Sequence, residues 1–159
     1  MVITEFFGKS MYPTLREGMR LAIEKISPDE VRPADIILYR NANSLVAHRV
    51  IRILQKGGKR AFLTKGDNHA YAGGDCIIGE DLIGRVRSAF YAEAPDADVL
   101  IKNIFIGWLY VIIGNLGLLV RANRENIPVF IRILFRPVLR AFFLGARKIT
   151  HLLYSSIRP

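Results

Sequence analysis

Five short runs of apolar and β-branched residues punctuate the first part of the chain: MRLAIEKI (19–26), ADIILYR (34–40), AHRVIRIL (47–54), RAFLTKG (60–66) and DLIGRVRSAFY (81–91). Each is bounded by Pro, Gly, Asn or Asp, and runs of this length and composition suit strands rather than helices. Gly57 and Gly58, flanked by Lys56 and Lys59, can supply the positive φ angles of a tight hairpin between the third and fourth runs. The pattern predicts a small, mostly antiparallel β domain over residues 1–95.

After Pro95 the texture changes, and residues 96–159 read as a helical, hydrophobic and basic C-terminal tail. Asn103 to Val120 is an uncharged run of 18 residues. A helix of that length covers about 27 Å, close to the thickness of a hydrocarbon core. Gly107, Gly114, Asn115 and Gly117 weaken such a span, so a buried helix or hairpin of a soluble core is the competing expectation. The following run, IPVFIRILFRPVLRAFFLGARK, sets Arg132, Arg136 and Arg140 on one helical face at four-residue spacing. Such a helix, kinked at Pro137, suits a lipid interface with its arginines toward anionic headgroups; it equally suits packing against the β domain or a partner.

Charge sharpens the division. The net charge of +9 is unevenly placed: residues 1–98 carry 14 Lys/Arg against 13 Asp/Glu, whereas residues 99–159 carry 9 against 1. A near-neutral domain followed by a basic, apolar tail points to membrane lipid as a partner rather than to nucleic acid, for which no RNP-like or zinc-finger motif is present. The single cysteine, Cys76, allows no internal disulfide and assigns no redox compartment. The N-terminus MVITEFFGKS has neither the basic nor the apolar region of a signal sequence, so any membrane attachment is expected from the tail. No motif calls for a metal or cofactor.

Candidate chemistry begins at EFFGKSMYPTLREGMRL, residues 5–21. Gly8-Lys9-Ser10 closes a phosphate-loop pattern, but Ile3 stands where the loop needs its first glycine, and the nucleotide reading fails. Downstream lie His48 within the third run, and Asp67 and Asp75 within the turn-rich LTKGDNHAYAGGD. Serine, histidine and carboxylate are the ingredients of an activated nucleophile: imidazole takes the hydroxyl proton and a carboxylate fixes its tautomer. Taken singly, each residue has a structural explanation as a turn serine, a core histidine or a turn aspartate.

The boxes around these residues resemble a known family. GKSMYPTLREGMRL is similar to the nucleophile box of the signal peptidase I and LexA-like serine peptidases; VRPADIILY, AHRVIRI and FLTKGDN resemble the boxes that follow it. The resemblance runs from about Gly8 to Val86. It implies a β catalytic fold, Ser10 as nucleophile, and Met11 and Pro13 at substrate-binding positions. The residue before the arginine of the third box is lysine in the bacterial type and histidine in the endoplasmic-reticulum and archaeal type. His48 therefore implies the Ser-His type, with Asp75 or Asp67 as the orienting carboxylate. Lys65 is a lesser alternative as base, since it would need a much lowered pKa, and His69 and His151 have no matching role.

Two departures qualify the resemblance. Where signal peptidases often carry a serine two residues before the nucleophile, this chain has Gly8, which leaves the Ser10 N–H as the main oxyanion donor. The usual N-terminal anchor is also absent from the sequence given. The implied activity is a membrane-associated endopeptidase cleaving a leader or signal peptide after small residues through an acyl-enzyme. Two alternatives stand beside it: a cytoplasmic-face peptidase acting on a peptide precursor, and a catalytically idle module holding extended peptides by strand addition. The arginines after residue 120 favour a cytoplasmic placement of that end, and hence an external β domain; an interfacial tail would instead allow a cytoplasmic one.

Overall fold

Alternation of apolar and polar residues gives way at IILY to a continuous apolar run, the mark of a strand buried on both faces. The computed structural model, which describes residues 2–69, 74–92, 94–99, 104–122 and 129–155, shows why. The strand β3 (Ile36–Asn41) lies inside an eight-stranded sheet in which every pairing is antiparallel. The other strands are β1 (Val2–Glu5), β2 (Arg20–Glu24), β4 (Ser44–Lys56), β5 (Lys59–Lys65), β6 (Asp75–Ile78), β7 (Leu82–Tyr91) and β8 (Ala94–Val99). Their spatial order is β1-β2-β7-β3-β4-β5-β6, with β8 paired to β7. Two helices follow, α1 (Ile104–Ala122) and α2 (Val129–Ser155). The fold is thus mainly β with two C-terminal helices.

The five apolar runs become β2, β3, β4, β5 and β7, while β1, β6 and β8 were not anticipated. Gly57 and Gly58 have φ angles of 58° and 75° and join β4 to β5 across the Lys56–Lys59 pair, as the diglycine requires. Strand β8 straddles residue 95, where the composition changes.

Both faces of the sheet are covered. On one face Ile36, Leu38, Ala47, Leu21, Ile23 and Val86 form a core with Met11, Leu15 and Met19 of the β1–β2 loop. Ile106, Tyr110 and Ile113 of α1 and Phe143 and Ala146 of α2 complete it. On the other face Ile37, Tyr39, Val50, Phe62, Val31 and Ile77 form a second cluster. With both faces covered, consecutive residues Val50 and Ile51 are both buried, Val50 in the second cluster and Ile51 against Gly114 of α1.

The uncharged run expected either to cross a membrane or to lie buried forms α1, and this helix shares the strands' core. Its glycines are contact points: a Cβ on Gly107 would stand 3.0 Å from Ala34 Cβ and 3.2 Å from Arg49 Nη1, and one on Gly114 would stand 3.0 Å from Ile51. Asn115 accepts from Arg52 at 2.6 and 3.1 Å. Among the described residues no helix is long and apolar enough to cross a membrane. Helix α2 runs through Pro137. Arg140 is exposed, while Asn103 and Arg124 and the side chains of Arg132 and Arg136 lie outside the described residues.

Glycine positions in the two helices should therefore respond oppositely to substitution. Gly145→Ala, which meets nothing within 4 Å, should stabilise by about 1 kcal/mol through helix propensity. Gly107→Val should destabilise by about 1–3 kcal/mol through overpacking against β4. Urea unfolding monitored by circular dichroism reads both.

Candidate active site

The serine sits on the loop between β1 and β2, whose base is closed by Phe6 N–H donating to Met19 O (2.7 Å) and Gly18 N–H donating to Phe6 O (3.0 Å). Gly8 enters the loop at φ 108°, a conformation suited to glycine. Met11 has no exposed surface and Pro13 is buried. Both side chains hold the loop from beneath.

From above, the loop is held by the TKGDN segment after β5. Asn68 donates through its N–H to Ser10 O (2.8 Å) and through Nδ2 to Lys9 O (2.9 Å). A Cβ on Gly66 would lie 2.5 Å from Ser10 O and 3.0 Å from His69 Nδ1, so only glycine permits this approach. Arg49 on β4 pairs with Lys65 on β5, and continuing that register by one residue sets Gly66 level with His48. The serine loop thus reaches the sheet at the histidine's position.

Asp67 and Asp75 part company here. Asp67 is buried and accepts from Arg49 Nε (2.9 Å), Arg49 Nη2 (2.7 Å) and Thr14 Oγ1 (2.6 Å), while Arg49 Nη1 donates to Ala34 O (2.8 Å). It clasps the serine loop to β4. Asp75, at the start of β6, stands beside His48: its Oδ2 is 3.7 Å from His48 Nδ1. Between them sits a residue that the sequence reading passed over. Tyr39 donates its hydroxyl proton to Asp75 Oδ2 (2.9 Å), receives a hydrogen bond from Thr64 Oγ1 (3.0 Å), and lies 3.2 Å from His48 Nδ1.

Hydroxyl stoichiometry fixes the direction of the last contact. A phenol has one proton to give and two lone pairs. With the proton on Asp75 and one lone pair accepting from Thr64, the remaining lone pair accepts from His48 Nδ1–H. That tautomer leaves Nε2 as the ring's acceptor. Burial holds the imidazole below its ordinary value of 6.5, with the Asp75 charge opposing the shift, so the ring is neutral near pH 7. Burial likewise keeps the Tyr39 phenol protonated. Lys65 is also pushed down by burial, opposed by Asp67.

Ser10 is half-buried, and neither its N–H nor its Oγ has a hydrogen-bond partner among the described residues; the Ser10–His48 hydrogen bond is not formed in this conformation. His69 lies beside Gly66, and the His151 ring on α2 lies tilted at 6.2 Å from that of Tyr12. Among the described residues no group of three or more His, Cys, Asp and Glu is arranged to hold a metal ion. The only cue to Tyr39 in the sequence was a single hydroxyl in an otherwise aliphatic run, and Arg49 and Thr14 gave none.

The chain is similar to signal peptidase I W of Bacillus subtilis (strain 168), with 32% identity over 75 residues, 46% of this chain and 40% of that protein. It therefore spans less than half of that relative's length. No family model matches. The similarity supports a signal peptidase I-like family at most.

The two aspartates should separate on substitution. Asp67→Ala leaves the buried Arg49 charge without its carboxylate and should lower stability by about 3–5 kcal/mol. Asp75→Asn, at a side chain 45% exposed, should change stability by less than about 1 kcal/mol. Chemical denaturation of the two variants measures the contrast.

Proposed function

We propose that the chain is a serine endopeptidase of the signal peptidase type in its Ser-His form, with Ser10 as nucleophile, His48 as base and Asp75 as the orienting carboxylate acting through Tyr39. The observation that carries this is the His48 ring whose Nδ1 lies 3.2 Å from the Tyr39 hydroxyl, itself bonded to Asp75, on the strand position level with Gly66. His48 Nε2 takes the Ser10 Oγ proton as Oγ bonds to the scissile carbonyl carbon. The Ser10 N–H donates to the developing oxyanion. The proton then passes to the leaving amine, and water, deprotonated by the same nitrogen, releases the acyl group and restores the serine. Closure of the Ser10–His48 contact accompanies substrate binding, as catalytic hydrogen bonds are often long in free enzymes and tighten in the Michaelis complex.

Membrane association belongs to the same proposal, as an interfacial mode. Trp108, Ile112, Leu116 and Leu119 are exposed along the α1 face opposite its buried residues, and Val138, Phe142, Ile149 and Leu152 form an exposed stripe on α2. Exposed Arg121, Arg140 and Lys148 lie on the same helices. Apolar stripes with neighbouring cations suit an anionic lipid surface. Cleavage of leader peptides after small residues at that surface is the activity inferred.

Two experiments test these parts. Incubation with a peptide library, acid quench and intact-mass analysis should reveal an acyl adduct on Ser10 in the wild type, none in Ser10→Ala, and cleavage lowered by about a thousandfold or more in His48→Ala. In the same assay kcat/KM should rise with pH as His48 loses its proton, with the midpoint below 6.5 because its pKa is lowered. Turnover that persists undiminished in Ser10→Ala would overturn the mechanism. In flotation with anionic phospholipid vesicles, the full chain should rise with the lipid and be released by high salt or carbonate. Retention after both washes would indicate a span, and no flotation would refute membrane binding.

A further inference from the structure

A cavity of about 400 Å³ opens beside the serine loop, lined by Gly8, Lys9, Tyr12, Leu15, Arg16, Glu17, Asn68 and Arg147. Three cations and one carboxylate face it. The Arg147 guanidinium, contributed by α2, lies 5.0 Å from the centre of the Tyr12 ring, and that of Arg16 lies 6.0 Å from it. One aromatic ring therefore holds both guanidinium groups near the cavity, which lowers the side-chain entropy lost when they grip an anion. Among the described residues no carboxylate lies within ion-pair distance of Lys9 or Arg147.

Position identifies what the anion belongs to. Gly8, Lys9 and Tyr12 are one or two residues from Ser10, hence within about 8 Å of it along the chain. An extended peptide advances about 3.3 Å per residue, so a side chain entering the cavity comes from within about three residues of the bond attacked by Ser10. Glu17 on the same wall suits a single negative charge better than a doubly charged phosphate.

We propose that this cavity is a substrate-specificity site for an aspartate or glutamate side chain close to the scissile bond, with Arg147 and Lys9 as its principal cations. The proposal rests on Ser10 being the nucleophile, and it makes α2 part of the substrate-binding apparatus.

The test uses the full chain and fluorescein-labelled peptide libraries identical except for Asp or Asn at one of the three positions on either side of a fixed central Ala. Binding is read by anisotropy with Ser10→Ala, and cleavage by mass spectrometry with the wild type. At one position Asp should be preferred over Asn by roughly tenfold to a hundredfold. Arg147→Lys should retain most of that preference, while Arg147→Glu should abolish it and favour Lys at the same position, a gain that a misfolded variant could not give. Equal treatment of Asp and Asn at every position in both assays would overturn the proposal, as would a preference unchanged in Arg147→Glu. Displacement of the Asp peptides by anionic phospholipid vesicles, with vesicle binding lost in Arg147→Glu, would assign the cavity to a headgroup and also overturn it. An Asp preference in Ser10→Ala binding without any wild-type cleavage would uphold the cavity and reject the peptidase mechanism; cleavage indifferent to Asp or Asn would do the reverse.

Discussion

The buried pair of Arg49 and Asp67 holds four segments in one place. Its carboxylate takes the Thr14 hydroxyl of the serine loop; its guanidinium bonds the Ala34 carbonyl and lies 5.6 Å from the Tyr110 ring of α1. Both side chains are almost fully withdrawn from water. Such a pair contributes little net stability over an apolar replacement, but it punishes any arrangement in which one partner is left alone. The serine loop, the β4–β5 end and α1 are therefore constrained to meet at one point, and the residue next to Arg49 on β4 is His48.

Alternation along β4 divides the labour. Arg49 faces the helices and the larger core, whereas His48 faces Tyr39, Thr64 and Asp75 on the opposite side of the sheet. One strand thus carries the clasp on one face and the imidazole on the other. The polar group around Tyr39 is connected link by link, from Thr64 Oγ1 to the Tyr39 hydroxyl to Asp75, and a connected polar network fixes side-chain geometry more firmly than isolated pairs do. The helices extend the same economy of position: α1 closes the core beneath the serine loop, and α2 brings Arg147 to its rim.

The strands with clear apolar content were legible because alternation and turn residues are local signals, and the diglycine hairpin was legible for the same reason. β6 and β8 were not, because DCII and APDADV owe their strand character to the partners they pair with. Composition alone could not rank Asp67 against Asp75: both sit in one turn-rich segment, and what separates them is Arg49 and Tyr39 on other strands. Gly107 and Gly114 of α1 read as weaknesses in a membrane span; they are places where the helix backbone closely approaches Ala34, Arg49 and Ile51. The resemblance implied substrate-binding positions at Met11 and Pro13 without revealing that both side chains are buried, because a motif gives no account of which side of a loop a residue supports.

The proposed mechanism requires Tyr39 to couple His48 to Asp75 and so leave Nε2 bare. Nitrogen-15 shifts of the His48 ring in the full chain near pH 7 test this most directly. A protonated Nδ1 and a bare Nε2, with that tautomer preference lost in Tyr39→Phe, is the expected result. A ring protonated on Nε2 instead would contradict the claim, since the bare nitrogen would then be Nδ1, which faces Tyr39 and Asp75.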